Sequence, residues 1–382
     1  MNQMKRILLL SILCPQFVAR ICWCGDGLDT WTVRSNSLTS TNWLYDVAFG
    51  NDQFVAVGGS QDIYAGMGVV LTSLDRTNWV QEILPTGTGT RLGITHGAGL
   101  YVAVGMFSVI TSLGGTAWTR LTSSSFSSSA VAYGNSLLVA CGGGQVYIST
   151  NGITWNRSSL GGGETSFTDL AFGNDLFLAV GGHAGRGGIW TSTNGTTWRG
   201  RLSDYLVRSV RYGGGMYIAV GDKGTLKTSA DTTTWIARDS GTTNNLLGVA
   251  YGGGVFVAVG SGGTILSSLE GTTWTLRASG TGTTNDLTAV TYGNGHFVAV
   301  GAKGTILESG PIIHLGQFTT LSSGAVQFTL SGPAKQNYQL QSSTNLKNWL
   351  ALTDMTLNEP SATIVIFSPT NFSRSFYRAV TP

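Results

Sequence analysis

The sequence predicts an all-β protein: a seven-bladed β-propeller of four-stranded blades, closed by an N-terminal strand and followed by a small β-sandwich. Three observations carry this. A glycine ends an AVG-like run at Gly58, Gly105, Gly142, Gly181, Gly221, Gly260 and Gly301, with spacings of 37 to 47 residues, the period of a propeller blade. A serine and a tryptophan stand six residues apart in six copies, from Ser73/Trp79 to Ser268/Trp274, so the turn between them has one fixed geometry. The seventh copy lacks its tryptophan, and a matching fragment, Gly27 to Ser35 with Trp31, lies ahead of the first copy.

In chain order, the first element is a leader over residues 1–25. Lys5-Arg6 precedes an apolar run, Ile7 to Cys14, which is far too short to span a bilayer and fits a signal peptide. Gly27 to Ser35 is then expected to be the outermost strand of the last blade. A ring closed in this way leaves no unpaired edge between first and last blades. The propeller occupies residues 26–310.

Within a copy, Leu246 to Tyr251 reads as the innermost strand, apolar with small residues, as crowding near an axis demands. Glycine turns at 252–254 and 262–263 lead to Val255 to Val259 and Thr264 to Ser267, and a hairpin delivers Trp274 on the fourth strand. No such unit buries its apolar faces alone, so it requires neighbours.

The hairpins Ser149-Thr150-Asn151-Gly152-Ile153-Thr154-Trp155 and Ser192-Thr193-Asn194-Gly195-Thr196-Thr197-Trp198 carry Asn-Gly, which supplies positive φ, and side chains able to bond the turn backbone. They resemble the Asp-box, or BNR, repeat of sialidase-type propellers. Asn151 and Asn194 stand where that family has aspartate; Asp75 and Asp231 fall near that place in blades one and five. The resemblance implies a structural element on the side away from a ligand. Some blades also resemble the photosystem assembly-factor propellers, which implies a binding scaffold.

Past Pro311 the period stops. Residues 311–382 hold short strand-like runs, and Tyr338 to Trp349 with Phe376-Tyr377-Arg378 resembles the β-sandwich module that ends many large exported bacterial proteins. That implies sorting, adhesion or surface association.

Without Lys5, Arg6 and Arg20 the remaining chain has equal numbers of basic and acidic residues. A neutral body gives no electrostatic reason to expect nucleic acid. Cys22 and Cys24 are too close for an unstrained mutual bridge, and Cys141 replaces the valine of the AVG strand. No metal or other cofactor is expected.

A sialidase would need an arginine triad and an Arg-Ile-Pro context, which is absent, and that family has six blades rather than seven. A glycosidase needs two spaced carboxyl groups. Of the five glutamates only Glu164 falls in a loop on the ligand side, with Asp62, Asp204 and Asp222 as potential companions. The histidines His96, His183, His296 and His314 do not cluster.

Function in a repeat protein is sought where copies differ. From the AVG glycine to the hairpin serine the distances are 15, 7, 7, 11, 8, 8 and 8, so blade one carries an insertion (Gly59 to Gly68) and blade four a shorter one (Gly182 to Gly188). Both emerge on one face, with the interblade loops and Arg91. The expected binding residues are Asp62, Tyr64, Glu164, His183, Arg186, Asp204 and Tyr205. Asp46, Asp169, Arg208 and Arg211 lie on innermost strands, facing the central channel or pairing with one another.

The expected function is an exported, non-catalytic scaffold, secreted, periplasmic or at the cell surface, for a protein or glycan partner. A glycoside hydrolase or lyase using ligand-face carboxylates is the alternative. A third is that the C-terminal module carries the biology.

Overall fold

The structure, a computed structural model, describes residues 22–23, 27–38, 41–62, 67–159, 165–183, 186–203, 206–323, 325–343, 347–366 and 376–381. They divide into two compact units. One is Trp31–Gly293 with Phe297–Glu308; the other is made of the described residues of Met1–Thr30, Asn294–His296 and Ser309–Pro382.

Seven antiparallel sheets form the propeller. The first is Asn42–Gly50, Gln53–Ser60, Gly68–Ser73 and Val80–Gln81, in that order from the innermost strand outwards. The seventh runs Leu287–Gly293, His296–Gly301 and Ile306–Ser309, and its outermost strand is Trp31–Val33. The closing strand is therefore N-terminal, as the sequence predicts, and Arg34 N–H continues the pairing to the Ile306 carbonyl at 2.9 Å. Trp31 is 5% exposed.

In blade two the second and third strands both fall within Leu100–Ser112, between Arg91–Gly97 and Thr119–Ser127. Met106-Phe107 stands where blade three has Gly143-Gly144 and blade six Gly262-Gly263.

Close approach between blades depends on glycine. The last two residues of each innermost strand are a ring-bearing side chain and a glycine, from Phe49-Gly50 to Tyr292-Gly293. A Cβ added at Gly50, Gly97, Gly134, Gly173, Gly213, Gly252 or Gly293 would lie 2.0–2.3 Å from the ring-bearing side chain of the next blade, and the seventh glycine meets Phe49 of the first. The collar thus closes on itself, with seven rings on seven glycines. Any side chain at these glycines overpacks the seam.

The innermost strands also carry bulges, between Leu44/Asp46, Arg91/Gly93, Phe167/Asp169, Val207/Ser209 and Leu246/Gly248. A bulge re-aims one residue out of the ladder. Thr168 uses it to reach the Val207 carbonyl of the next blade at 3.2 Å, and Thr288 reaches Leu44 O at 2.6 Å. Apolar clusters fill the seams, such as Val180, Ile189, Val207 and Val210 between blades four and five.

The Ser-to-Trp hairpins consume their own polar groups. Ser149 Oγ accepts Gly152 N–H at 2.8 Å, and Asn151 Oδ1 accepts the N–H groups of Ile153 and Thr154 at 2.9 Å. Trp155 Nε1 donates to the Gly152 carbonyl at 2.9 Å. Asp75 and Asp231 play the Asn151 role; the Asn78 N–H at Asp75, and the Thr233 hydroxyl followed by backbone donors at Asp231, hold both carboxyls well below the usual carboxylate range.

The second unit contains two sheets around one apolar core. Cys22–Trp23, His314–Thr320, Val326–Ser331 and Ser361–Ile366 form one, and Leu350–Leu357, Gln336–Ser343 and Phe376–Val380 the other. Phe328, Leu330, Tyr338, Leu340 and Tyr377 fill the space between them. Alternation places Tyr338 and Leu340 inward and Asn337, Gln339 and Gln341 outward.

Candidate functional site

The insertions mark one end of the propeller, and the later halves of the innermost strands, running away from that end, line a central channel. The blade-four insertion is built as an extension of a ribbon. Gly181↔Gly188, Gly182↔Gly187 and His183↔Arg186 continue the pairing of the second and third strands, so His183 and Arg186 stand opposite each other at the tip. Arg186 is exposed. The blade-one insertion pairs Gly59 with Gly68, and Met67 bridges to Gly89 while remaining 83% exposed. Asp62 is exposed, its N–H donating to Ser60 Oγ at 3.2 Å.

Of the other expected binding residues, Tyr64, Glu164, Asp204 and Tyr205 lie outside the described residues, as does the His183 side chain. Sequence reasoning missed Trp43 and Tyr45, both half-buried on the innermost strand of blade one, with ring centroids 6.2 Å apart. The Tyr45 hydroxyl donates to the Ser60 carbonyl at 3.2 Å, which ties this aromatic pair to the root of the insertion. Two large aromatics close to an insertion were the available signal.

Arg91 is not on the surface, contrary to expectation. It is fully buried, and its Nε, Nη1 and Nη2 donate to the carbonyls of Gly89, Ser108 and Met106 at 2.8, 2.7 and 3.2 Å. The site it occupies is held by Leu44, Phe167, Val207 and Leu246 in other blades, which is why it points inward. Burial, helped by the charge of Arg120, pulls its guanidinium down to about 10.

The channel between the innermost strands has a volume of about 250 Å³. Asp46, Asp169 and Arg211 line it, with His96 and the rings of Phe49, Tyr133, Phe172, Tyr251 and Tyr292. Each aspartate also staples two blades. Asp46 accepts Val47 N–H and, from blade two, Ile94 N–H, both at 2.8 Å. Asp169 accepts Leu170 N–H at 2.7 Å, the Ser209 hydroxyl at 2.7 Å and Val210 N–H at 3.0 Å, the last two from blade five. Removal from bulk water pushes the Asp46 carboxyl up to about 7, against its backbone donors, and the charge of Asp169 adds to the rise.

Arg211 gives one Nε–H to the Val249 carbonyl at 3.2 Å. Its neighbour Arg208 does not face the channel chemistry: it is paired with Asp222 at 2.7 and 3.0 Å, which raises its pKa. Desolvation lowers the pKa of His96, so the imidazole is neutral at pH 7, and its buried Nε2 has no hydrogen-bond partner. Among the described residues no three His, Cys, Asp or Glu side chains gather as metal ligands.

Solved structures share this fold. YCF48 bound to a D1 peptide is 15% identical, with a TM-score of 0.59 over 73% of this chain and 94% of that one. Catalytically inactive virginiamycin B lyase from Staphylococcus aureus, with quinupristin, is 8% identical, with a TM-score of 0.63 over 74% and 100%. PorZ, a surface component of the type-IX secretion system of Porphyromonas gingivalis, is 12% identical, with a TM-score of 0.56 over 84% of this chain and 54% of that one. At such identities the likeness is one of fold alone: all are β-propellers. No protein-family model matches the chain, and no curated protein does.

Proposed function

We propose that the chain is an exported binding scaffold that holds a protein partner on the insertion-bearing face of its propeller. The observation that carries this reading is the contrast between the two ends. At one end the hairpins spend Asn151, Asp75 and Asp231 on their own turns. At the other, Arg186, Met67 and the Trp43–Tyr45 pair present cationic, apolar and aromatic surface. Aromatic and arginine side chains on a rigid frame give strong contacts at low entropic cost. The structural likeness to a peptide-bound propeller and to a secretion-system surface component supports the reading, and the Lys5-Arg6 leader with its short apolar run supports export.

The proposed contact set is Asp62, Tyr64, Glu164, His183, Arg186, Asp204 and Tyr205, with Trp43 and Tyr45 added. The test is capture of a partner from the native envelope by the full-length protein, followed by calorimetry with the identified partner. Arg186→Ala and Tyr45→Ala should each weaken binding by about 1–3 kcal/mol. Loss of binding in folded Asn151→Ala, with Arg186→Ala unaffected, places the partner on the opposite end.

A further inference from the structure

When Asp46 is ionised, the channel carries a charge that its own residues leave unbalanced. Asp46 and Asp169 contribute two carboxylates, and Arg211 contributes one guanidinium. The remaining ionisable groups of the lining are His96, Tyr133, Tyr251 and Tyr292, and His96 is neutral. Burial raises Tyr251 and Tyr292 above the ordinary phenol range, so both stay uncharged. With both aspartates ionised, the lining is short of one positive charge.

The rest of the wall suits a particular kind of cation. Five aromatic rings stand on the lining, and aromatic faces attract organic ammonium groups, most strongly where water is excluded. The neutral His96 adds a buried nitrogen without a partner. At about 250 Å³ the space lies just below the ~300 Å³ at which pockets for drug-sized ligands begin, so it suits a group of only a few heavy atoms. A single charge, an apolar body and small size together describe an alkylammonium.

We propose that the central channel binds one alkylammonium group, with Asp46 and Asp169 as its counter-charges and the aromatic collar around its carbon chain. Two sources share that chemistry: a free primary amine, and a lysine side chain presented by a protein. The site stands apart from the partner face, and neither reading needs the other.

The experiment is titration of the full-length protein with n-butylammonium, 1-butanol and butyrate, followed by calorimetry and by NMR of the aromatic protons. Saturable binding of the amine is expected, with the alcohol weaker by about tenfold or more. Because the ammonium favours ionised Asp46, binding near pH 7 should release a fraction of a proton. The heat should therefore vary between buffers of different ionisation enthalpy. Affinity should fall by up to about tenfold per pH unit on acidification below about 7.

Arg211→Gln leaves both aspartate staples in place and should tighten amine binding, since it removes the competing cation. Asp46→Asn should weaken binding by about tenfold, and its fold is checked by the melting transition. A lysine-containing peptide and its norleucine counterpart separate the two sources. Equal binding of amine and alcohol, no saturable response to the amine, or an unchanged affinity in Arg211→Gln each overturns the proposal. In those cases the channel holds water only.

Discussion

Arg34 and Glu308 stand 274 residues apart in the chain and meet in a salt bridge of 2.5 Å. The second oxygen of Glu308 takes Arg76 of blade one at 2.8 Å. One buried carboxylate therefore joins the N-terminal closing strand, the last blade and the first. Its side chain is only 5% exposed, whereas the two arginines keep about a quarter of theirs in water, 25% and 23%.

Glu308→Ala should accordingly destabilise the ring. Breaking a buried pair costs about 3–5 kcal/mol, and the partial exposure of both arginines reduces this to about 2–3 kcal/mol. Urea unfolding of the variant, of Arg34→Met and of the double variant measures it. Truncation through Val33, which removes buried Trp31, should cost about 3–5 kcal/mol. An unchanged denaturation midpoint in the truncation would contradict closure by this strand.

The collar predicts a position-specific intolerance. Gly134→Ala drives a methyl to 2.0 Å from the Phe172 ring and should cost about 1–3 kcal/mol. Gly114→Ala, whose added carbon meets nothing within 4 Å, should be close to neutral. Comparing the two melting temperatures separates seam packing from a general dislike of substitution.

Asp46 gives stability a signed dependence on pH. Its carboxyl is raised in the fold to about 7, so the folded chain holds a proton that the unfolded chain has released. The stability linked to this group is fully present below the ordinary aspartate range near 4 and is lost as pH rises towards 7. The slope is at most about 1.4 kcal/mol per pH unit in that window. Relative to wild type, Asp46→Asn should gain stability from pH 4 to 7 and hold a constant offset above it. Asp75 and Asp231 act with the opposite sign, because their depressed pKa values make their contribution fade as pH falls through the acid range.

In the hairpins, Asn151→Ala should lower stability by about 1–2 kcal/mol, since two turn N–H groups lose their acceptor. Asn151→Asp should restore most of it, because a carboxylate oxygen accepts from the same donors, as Asp231 does. Thermal melts of the three proteins are sufficient.

The repeat was legible because its spacings are physical constraints: a hairpin that must return Trp155 to the Gly152 carbonyl tolerates no change in length. The closing strand was legible for the same reason, as a copy of part of the repeat. Arg91 was misread because a charged residue in a connecting stretch looks exposed, and only the carbonyls of Gly89, Met106 and Ser108 reveal why it is buried. The clamp at Glu308 could not be read at all, since it depends on two arginines distant in sequence. The unequal copy lengths were legible as insertions, and Asp46, Asp169 and Arg211 were legible as channel residues from their place on the innermost strands, but not which bonds they make. Asp46, Asp169 and Arg211 converge only when seven separated strands share one axis.

The closing strand also sets a timetable for synthesis. Trp31–Val33 is made ahead of every blade, yet its partner, Ile306–Ser309, is made after all the others. At roughly 5–20 residues per second, the strand waits for roughly a quarter of a minute to a minute with its hydrogen-bonding groups uncommitted. During that interval blades one to six can stack in order from the ribosome, but the ring has two open ends. A nascent chain therefore has a period in which a second copy's edge can be captured instead of its own, and it ends when residue 309 emerges.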